Sequence, residues 1–471
     1  MTALTRAATV LIPLFALLLV PLAWVEAQGF LSGAVIDMWA KAIVQIEGPG
    51  VFRASDAFYP PLPFSLALIL QMIAPEADVA LPLLIGAAAA ALLLYTWYLN
   101  LRERGAYDRG SAGLLVVLLA LNPFFLRALA EGPSAVLLLL GFWIYARGLL
   151  NLRLNGAAPD MMKVAVGLLI LPLSHAYGML LALGTLPFIV LAARPSMLAA
   201  SSFGYLMSMF FPVVAAIGSL LFVNAVLKTE FISAQVVQGG AGPEAWALLP
   251  TLCGLLVAGL ALLRLMWRAR LALPILAGAG SLLGGAWLNA QYGFEGDAAV
   301  VALPSLGLAV VAIRAWPPGR FRVPMVVLGL LASVPLALFS MQAAGGPGTR
   351  ALLDIARGER VTGPHAADAE LAEFLDNRSG ILADVERNPG LVAALGDVEG
   401  FLVAGQPAYD ITVLGGRPRG QYIAVRLPEA GEIPRDRLLR AYPQLEKGAP
   451  PPFRLRYDRG GWRVFEIVGQ D

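Results

Sequence analysis

The stretch GAVIDMWAKAIVQIEG, residues 33–48, decides how this chain of 471 residues is read. Ile36, Trp39, Ala40, Ile43, Val44 and Ile46 recur at helical spacing, and Asp37, Lys41 and Glu47 interrupt the apolar face. That pattern predicts an amphipathic helix lying at a membrane surface. Gly48-Pro49-Gly50 stops it, and an irregular link leads to Phe58-Tyr59-Pro60-Pro61-Leu62-Pro63. Before it lies an apolar run at 7–24, preceded by Arg6, which reads as an uncleaved anchor because many later spans hold the chain in the membrane in any case.

Working outward, further apolar runs approaching the ~20 residues of a spanning helix occur near 80–99, 111–129, 133–150, 163–175, 177–193, 199–226, 245–263, 271–290, 298–313 and 323–342, which with 7–24 makes eleven. The piece 60–74 opens with prolines and is too short for a span, so it reads as interfacial or re-entrant. Charge tests that choice. With the N-terminus cytoplasmic and 60–74 not crossing, the inside loops hold fourteen basic residues: Arg6, Arg102, Arg104, Arg109, Arg147, Arg153, Lys163, Arg194, Arg264, Arg268, Arg270, Arg314, Arg320 and Arg322. The outside then holds four, Lys41, Arg53, Arg127 and Lys228, which follows the positive-inside rule. Making 60–74 a span would invert every later loop and reverse the ratio. Acidic residues sort the opposite way, with Asp37, Glu131, Glu295 and Asp297 among those outside.

Composition agrees: 58% of residues are hydrophobic and 14% charged, against roughly 25% charged in a soluble domain. The net charge of +2 gives no basic excess for nucleic acid. It conceals a partition, since 16 of the Lys and Arg and 18 of the Asp and Glu fall in residues 345–471. A lone cysteine, Cys253, and two histidines, His175 and His365, exclude a disulfide scaffold and make a zinc site improbable. A soluble dehydrogenase is excluded by the same composition. The chain lacks G-x-x-x-x-G-K-[ST], so ATP is not its direct energy source and any donor must arrive activated.

The expected fold class is therefore mainly α: a polytopic helix bundle over 1–344, with the long outside loop 25–79, and a small soluble α/β domain over 345–471 on the outside face. In that tail the pattern predicts helices at 366–376, 389–395 and 434–447, strands at 380–385, 401–403 and 422–427, and a hairpin turning at Arg459-Gly460-Gly461. A covering or recognition role suits the tail, in which no Ser/His/Asp grouping is visible.

A span, an outside loop with an early acid, a surface helix and Tyr59-Pro60-Pro61-Leu62 before the next span resemble the GT-C superfamily of polyprenyl-phosphate-sugar-dependent glycosyltransferases. The similarity is to the protein mannosyltransferase and aminoarabinose transferase branch. Leu121-Asn122-Pro123-Phe124-Phe125, Arg127 with Glu131-Gly132-Pro133-Ser134, and His175-Ala176-Tyr177-Gly178 resemble that branch's next two outside turns, so the likeness covers roughly residues 5–195. The family often has Asp-Glu in the first loop, whereas Met38 follows Asp37 here. The resemblance implies a polyprenyl-phosphate sugar as donor, a glycan, lipid or protein acceptor, and work on the periplasmic face of a bacterial inner membrane. It admits a divalent metal and leaves that requirement open.

Such chemistry needs a base for an acceptor hydroxyl and a cation for the departing phosphate. Asp37 is the expected general base, because partial desolvation on the apolar helix would raise its pKa; its alternative is a surface pair with Lys41 one turn on. Glu131 is a second catalytic candidate, or a helix-end acid stabilised by the macrodipole. Arg127, costly in an apolar span end, either pairs with Glu131 or binds the lipid phosphate. Lys41 and Lys228 are further phosphate candidates. His175 beside Tyr177 is a pocket candidate, and Tyr59 with Pro60 and Pro61 shapes the loop. Glu295 and Asp297 form a third acidic turn, solvated by default. Two rivals remain, a transporter or flippase of a lipid-linked glycan and a non-catalytic assembly factor; transporters place ionisable groups at mid-membrane and carry repeats, and neither is apparent here.

Overall fold

The computed structural model describes residues 3–48, 59–75, 79–228, 245–361, 364–428 and 436–468. In chain order its helices begin with α1 (Ala3–Ala27), α2 (Gly33–Glu47), α3 (Pro61–Ile73) and α4 (Leu81–Leu99), which runs into a π-helical turn at Asn100–Arg104. Next come α5 (Arg109–Ala120), α6 (Pro123–Glu131), α7 (Pro133–Asn155), α8 (Ala158–Ser174), α9 (Tyr177–Gly184), α10 (Ile189–Ala192) and α11 (Pro195–Lys228, broken at Ser201). The remaining helices of the membrane part are α12 (Leu249–Gly254), α13 (Leu256–Leu265), α14 (Ala269–Tyr292), α15 (Ala298–Ala302), α16 (Ser305–Ala315), α17 (Arg322–Ala344) and α18 (Pro347–Ala356).

Seven helices among the described residues are long and apolar enough to cross a membrane, or nine if each bent pair is one span. The chain is a multi-pass membrane protein. The count differs from the eleven runs of the sequence for two local reasons. Helix α8 stops at 17 residues, about 26 Å at 1.5 Å per residue, short of a hydrocarbon core of about 30 Å. The run 177–193 is divided into α9 and α10 by turns around Thr185–Phe188, where Pro187 interrupts the ladder. Helices α5 and α6 meet at 62°, because Asn122 caps α6, its side chain accepting from Phe124 N at 3.0 Å, and Pro123 follows at the first helical position. The 60–74 piece is α3, 13 residues long and too short to span.

The chain divides into two compact units, one of residues 1–24, 55–63 and 83–358, the other of 25–54, 64–82 and 359–471. Helix α18 clusters with the first unit, and helix α2 with the residues after 358.

In the helical unit, close helix approach replaces a hydrophobic driving force, as bilayer packing requires. A Cβ on Gly167 of α8 would lie 2.5 Å from Tyr145 N of α7, and one on Gly184 of α9 would lie 2.4 Å from Gly285 N of α14. Phe203, Phe211, Phe222, Leu263, Leu328 and Phe339 face outward, as lipid-facing side chains do.

The second unit contains α19 (Pro364–Leu375), α20 (Pro389–Leu395), α21 (Pro407–Val413) and α22 (Arg437–Ala441). Its strands are β1 (Ile381–Ala383), β2 (Phe401–Leu402), β3 (Tyr422–Arg426), β4 (Phe453–Arg459) and β5 (Trp462–Ile467), in the order β2-β1-β3-β5-β4. Strand β1 is parallel to both neighbours, and β5 is antiparallel to β3 and β4. Leu382, Ile423, Val425, Leu438, Phe453 and Phe465 fill its core. Helix α21 escapes the sequence pattern, being one short turn-rich segment.

Helix α2 belongs to this unit. Val35, Ile36, Met38, Trp39, Ala40, Ala42 and Ile43 are buried, and the helix packs against α20. Its apolar face, expected to rest on lipid, is covered by protein. Gln28 O accepts from Val361 N at 3.3 Å, and Gly29 (φ +86°) comes so close that a Cβ would lie 2.8 Å from Val361 O.

Gly184→Ala is expected to lower the melting temperature of the detergent-purified protein clearly, since the clash is with backbone. Gly218→Ala, whose Cβ meets nothing within 4 Å, should leave it unchanged or raise it, an interior helical glycine costing about 0.5–1 kcal/mol.

Candidate functional site

Arg127 is almost wholly buried midway along α6, where an uncompensated guanidinium would be untenable. Every arm is engaged. Nη1 lies 2.5 Å from Glu131 Oε2, Nη2 lies 3.3 Å from Asp297 Oδ2, and Nε donates to Thr349 Oγ1 at 2.8 Å. The Thr349 hydroxyl passes the chain on, donating to Asp297 Oδ2 at 2.6 Å. Helices α6, α15 and α18 are therefore joined through one cation. Of the two sequence alternatives for Arg127, pairing with Glu131 is present, and Asp297 adds a second carboxylate.

Asp297 is not the solvated turn residue expected. It caps α15, Oδ1 accepting from Ala299 N at 3.0 Å. Burial opposes its charge, but Arg127, Thr349 and the backbone of Gly346 and Ala299 outweigh that and hold its carboxyl below the usual range. Two residues earlier Glu295 behaves oppositely. Burial first, then repulsion from Glu131, pushes its carboxyl from the ordinary 4.5 up to about 8. The loop is pinned by Asn289, whose amide donates to Glu295 O at 2.8 Å while its Oδ1 accepts from Glu295 N at 2.9 Å.

His175 stands at the C-cap of α8. Its Nδ1 accepts from Tyr177 N at 3.1 Å, which leaves the proton of the neutral ring on Nε2, and Nε2 lies 3.4 Å from Glu295 Oε2. Turns of the helical unit thus assemble Glu131, His175, Glu295 and Asp297 about Arg127. Tyr177 does not join them: its side chain is fully buried, the hydroxyl facing Gly285 of α14. Residue spacing does not reveal Asp297 and Thr349 as partners of Arg127, or Glu295 as the neighbour of His175. The one signal was the buried cation itself, which demanded more carboxylate than Glu131 alone.

The other candidates lie elsewhere. Asp37, in the second unit, is bound to Lys41, Nζ to Oδ2 at 2.7 Å, with both side chains about a quarter exposed. The pairing alternative is what the geometry contains. Tyr59 and Pro60 are half-buried ahead of α3, which Pro61 opens. Lys228 ends α11, and its side chain lies outside the described residues. Among the described residues no three His, Cys, Asp or Glu side chains converge as a metal would need, and the Asp297 oxygens are already spent on Arg127, Thr349 and Ala299.

Two outcomes follow from this geometry. Arg127→Met strands two buried carboxylates and should destabilise by about 3–5 kcal/mol, whereas Thr349→Val should cost about 1–3 kcal/mol, both measured by reversible unfolding in mixed micelles. Because folding raises the Glu295 pKa, the stability it contributes is full below pH 4.5 and is lost as pH rises through about 8. Glu295→Gln should flatten that fall in melting temperature; an unchanged pH profile would exclude the assignment.

No protein-family model and no curated protein matches the sequence. Two of the solved structures that resemble the chain are informative in different degrees. One is the crystal structure of ArnT from Cupriavidus metallidurans bound to undecaprenyl phosphate, with TM-score 0.59, 14% identity and 98% of each chain covered. The other, at TM-score 0.41 and 13% identity, is the archaeal oligosaccharyltransferase AglB from Archaeoglobus fulgidus in complex with an inhibitory peptide and a dolichol-phosphate, covering 83% of this chain and 64% of that one. Together with the helix order from α1 to the mixed sheet, the end-to-end match to ArnT gives this chain the GT-C fold.

Proposed function

We propose that the chain is a membrane glycosyltransferase that moves a sugar from a polyprenyl-phosphate carrier to a hydroxyl of a glycan, lipid or protein on the periplasmic face of a bacterial inner membrane. The observation that carries this reading is the fold: it agrees over 98% of both chains with a protein crystallised with undecaprenyl phosphate. The outward placement of the acids by the charge count supports the side on which the reaction runs.

The reaction is a single displacement with inversion. An acceptor oxygen forms the new bond to the anomeric carbon, the bond to the carrier phosphate breaks, and its electron pair leaves with the phosphate. The acceptor proton goes to the Asp37 carboxylate. Lys41, held 2.7 Å from Asp37 Oδ2, orients that group. Such a positioned base is worth roughly 10²–10⁴-fold. Glu131 is the second carboxylate of the reaction, held by Arg127, and His175 offers an Nε2–H at the same outside turns to a substrate oxygen. A metal, if one is used, adds charge stabilisation, and no step above runs through it.

The test is transfer of label from a radiolabelled polyprenyl-phosphate sugar by the purified protein. Asp37→Asn should lower kcat roughly 100-fold or more with its melting temperature intact. Glu131→Gln should lower it too, and because this change also loosens Arg127 its melting temperature must be read beside the rate. Wild-type turnover in Asp37→Asn would remove the base assignment. Tight carrier binding without transfer to any membrane glycan would favour a non-catalytic role.

A further inference from the structure

At the opposite ends of the same helices, four arginines gather with little to neutralise them. Arg314 of α16 donates from Nη2 to Asn151 Oδ1 of α7 at 2.7 Å. Arg147 lies one helical turn before Asn151, its guanidinium 5.1 Å from the centre of the Trp143 ring. Arg322 is buried at the start of α17, stacked 3.7 Å over Tyr107, with Nη2 3.4 Å from Arg314 O. Tyr107 in turn donates its hydroxyl to Ile313 O at 2.9 Å. Arg104, exposed at the end of the π-helical turn, completes the group, and that turn packs against α16.

Arg104, Arg147 and Arg314 lie within electrostatic reach of one another, and Arg322 joins them through its bond to the Arg314 carbonyl. Arg314 experiences both Arg147 and Arg104 as like charges, and Arg147 experiences Arg104. Asp160 and Glu103 are the acids that reach them, and Asp160 is already taken by Lys163 Nζ at 2.9 Å and Asn155 Nδ2 at 3.1 Å. None of the four arginines forms an ion pair among the described residues. Three of their nitrogens, Arg147 Nε, Arg314 Nη1 and Arg322 Nε, are buried with no hydrogen-bond partner. Buried guanidinium donors left unmade are expensive. Gathered at neighbouring helix ends, such donors suit a multi-oxygen anion, for which the planar fork of arginine is fitted. The π-helical turn that presents Arg104 is a geometry that recurs at functional sites.

We propose that Arg104, Arg147, Arg314 and Arg322 form a phosphate-binding site at the arginine-rich ends of α4, α7, α16 and α17, on the face that the charge count assigns to the cytoplasm. Its ligand is a phosphate group, carried either by an anionic lipid headgroup of that leaflet or free in solution. The site stands apart from Arg127 and the acids of the outside turns and does not depend on the glycosyltransferase reading.

Melting temperature of the detergent-purified full chain tests it, titrated with phosphatidylglycerol, with inorganic phosphate at constant ionic strength, and with phosphatidylcholine as the uncharged control. Stabilisation by phosphatidylglycerol alone identifies a lipid headgroup, and stabilisation by inorganic phosphate identifies the free anion. Arg147→Gln with Arg314→Gln should weaken the apparent affinity roughly tenfold or more per arginine, as loss of a charged hydrogen bond implies, while raising stability in anion-free buffer by relieving like-charge repulsion. Should that double variant fail to fold, Arg104→Gln, at an exposed position, carries the same test. Equal response to all three additives, or an unaltered titration in Arg104→Gln and in the double variant, would overturn the proposal.

Discussion

A buried guanidinium sets the terms for the turns that gather around it. Arg127 cannot be buried midway along α6 unless carboxylates are brought to it, and Glu131 from its own helix is not enough. Asp297 and Thr349 come from segments 170 and 222 residues further along the chain. One charge therefore fixes where three helices end. The same concentration of charge explains the opposite behaviour of two nearby acids: Asp297, bonded to the cation, is held ionised, while for Glu295, two residues away, burial and Glu131 outweigh the pull of Arg127.

Local patterns in the sequence carried much of the architecture. The α2 helix, the proline-headed α3 and the hairpin of β4 and β5 all follow from residue spacing and turn chemistry over a few positions, whereas hydropathy made one run of 111–129 and hid the bend at Asn122-Pro123. The pair Arg127 and Glu131 was visible for the same reason, being one helical turn apart. What spacing could not supply was tertiary: that Asp297 is a buried ligand of Arg127 rather than a solvated turn, that Tyr177 turns into helix packing against Gly285, and that α21 forms. Each depends on which segment arrives from far away. The break of 177–193 into α9 and α10 was legible in principle from Pro187, but hydropathy outweighed it.

Asp37 shows the limit of reading a charged residue on an apolar face. The helix was expected to place an acid in a desolvated setting, and the structure instead gives it a lysine one turn on. A paired acid can still act as a base, with its partner fixing the orientation, so the geometry changes how the residue is held more than whether it can be used. Arg147, Arg314 and Arg322 present the reverse situation: in the sequence they are three basic residues among the fourteen inside, yet their buried, unmatched nitrogens set them apart from solvated arginines such as Arg104.

Helix α2 carries a consequence for how the chain is made. Its apolar face is closed by α20, a helix encoded near the other end of the polypeptide. Synthesis of the intervening chain takes about 20–70 s at 5–20 residues per second, and throughout that interval α2 has emerged without the surface it finally packs against. An amphipathic segment in that position has the lipid interface available as a temporary resting place. The amphipathicity so conspicuous in residues 33–48 thus has its final partner only once residues 389–395 exist, and a chain stopped before residue 389 would lack that cover.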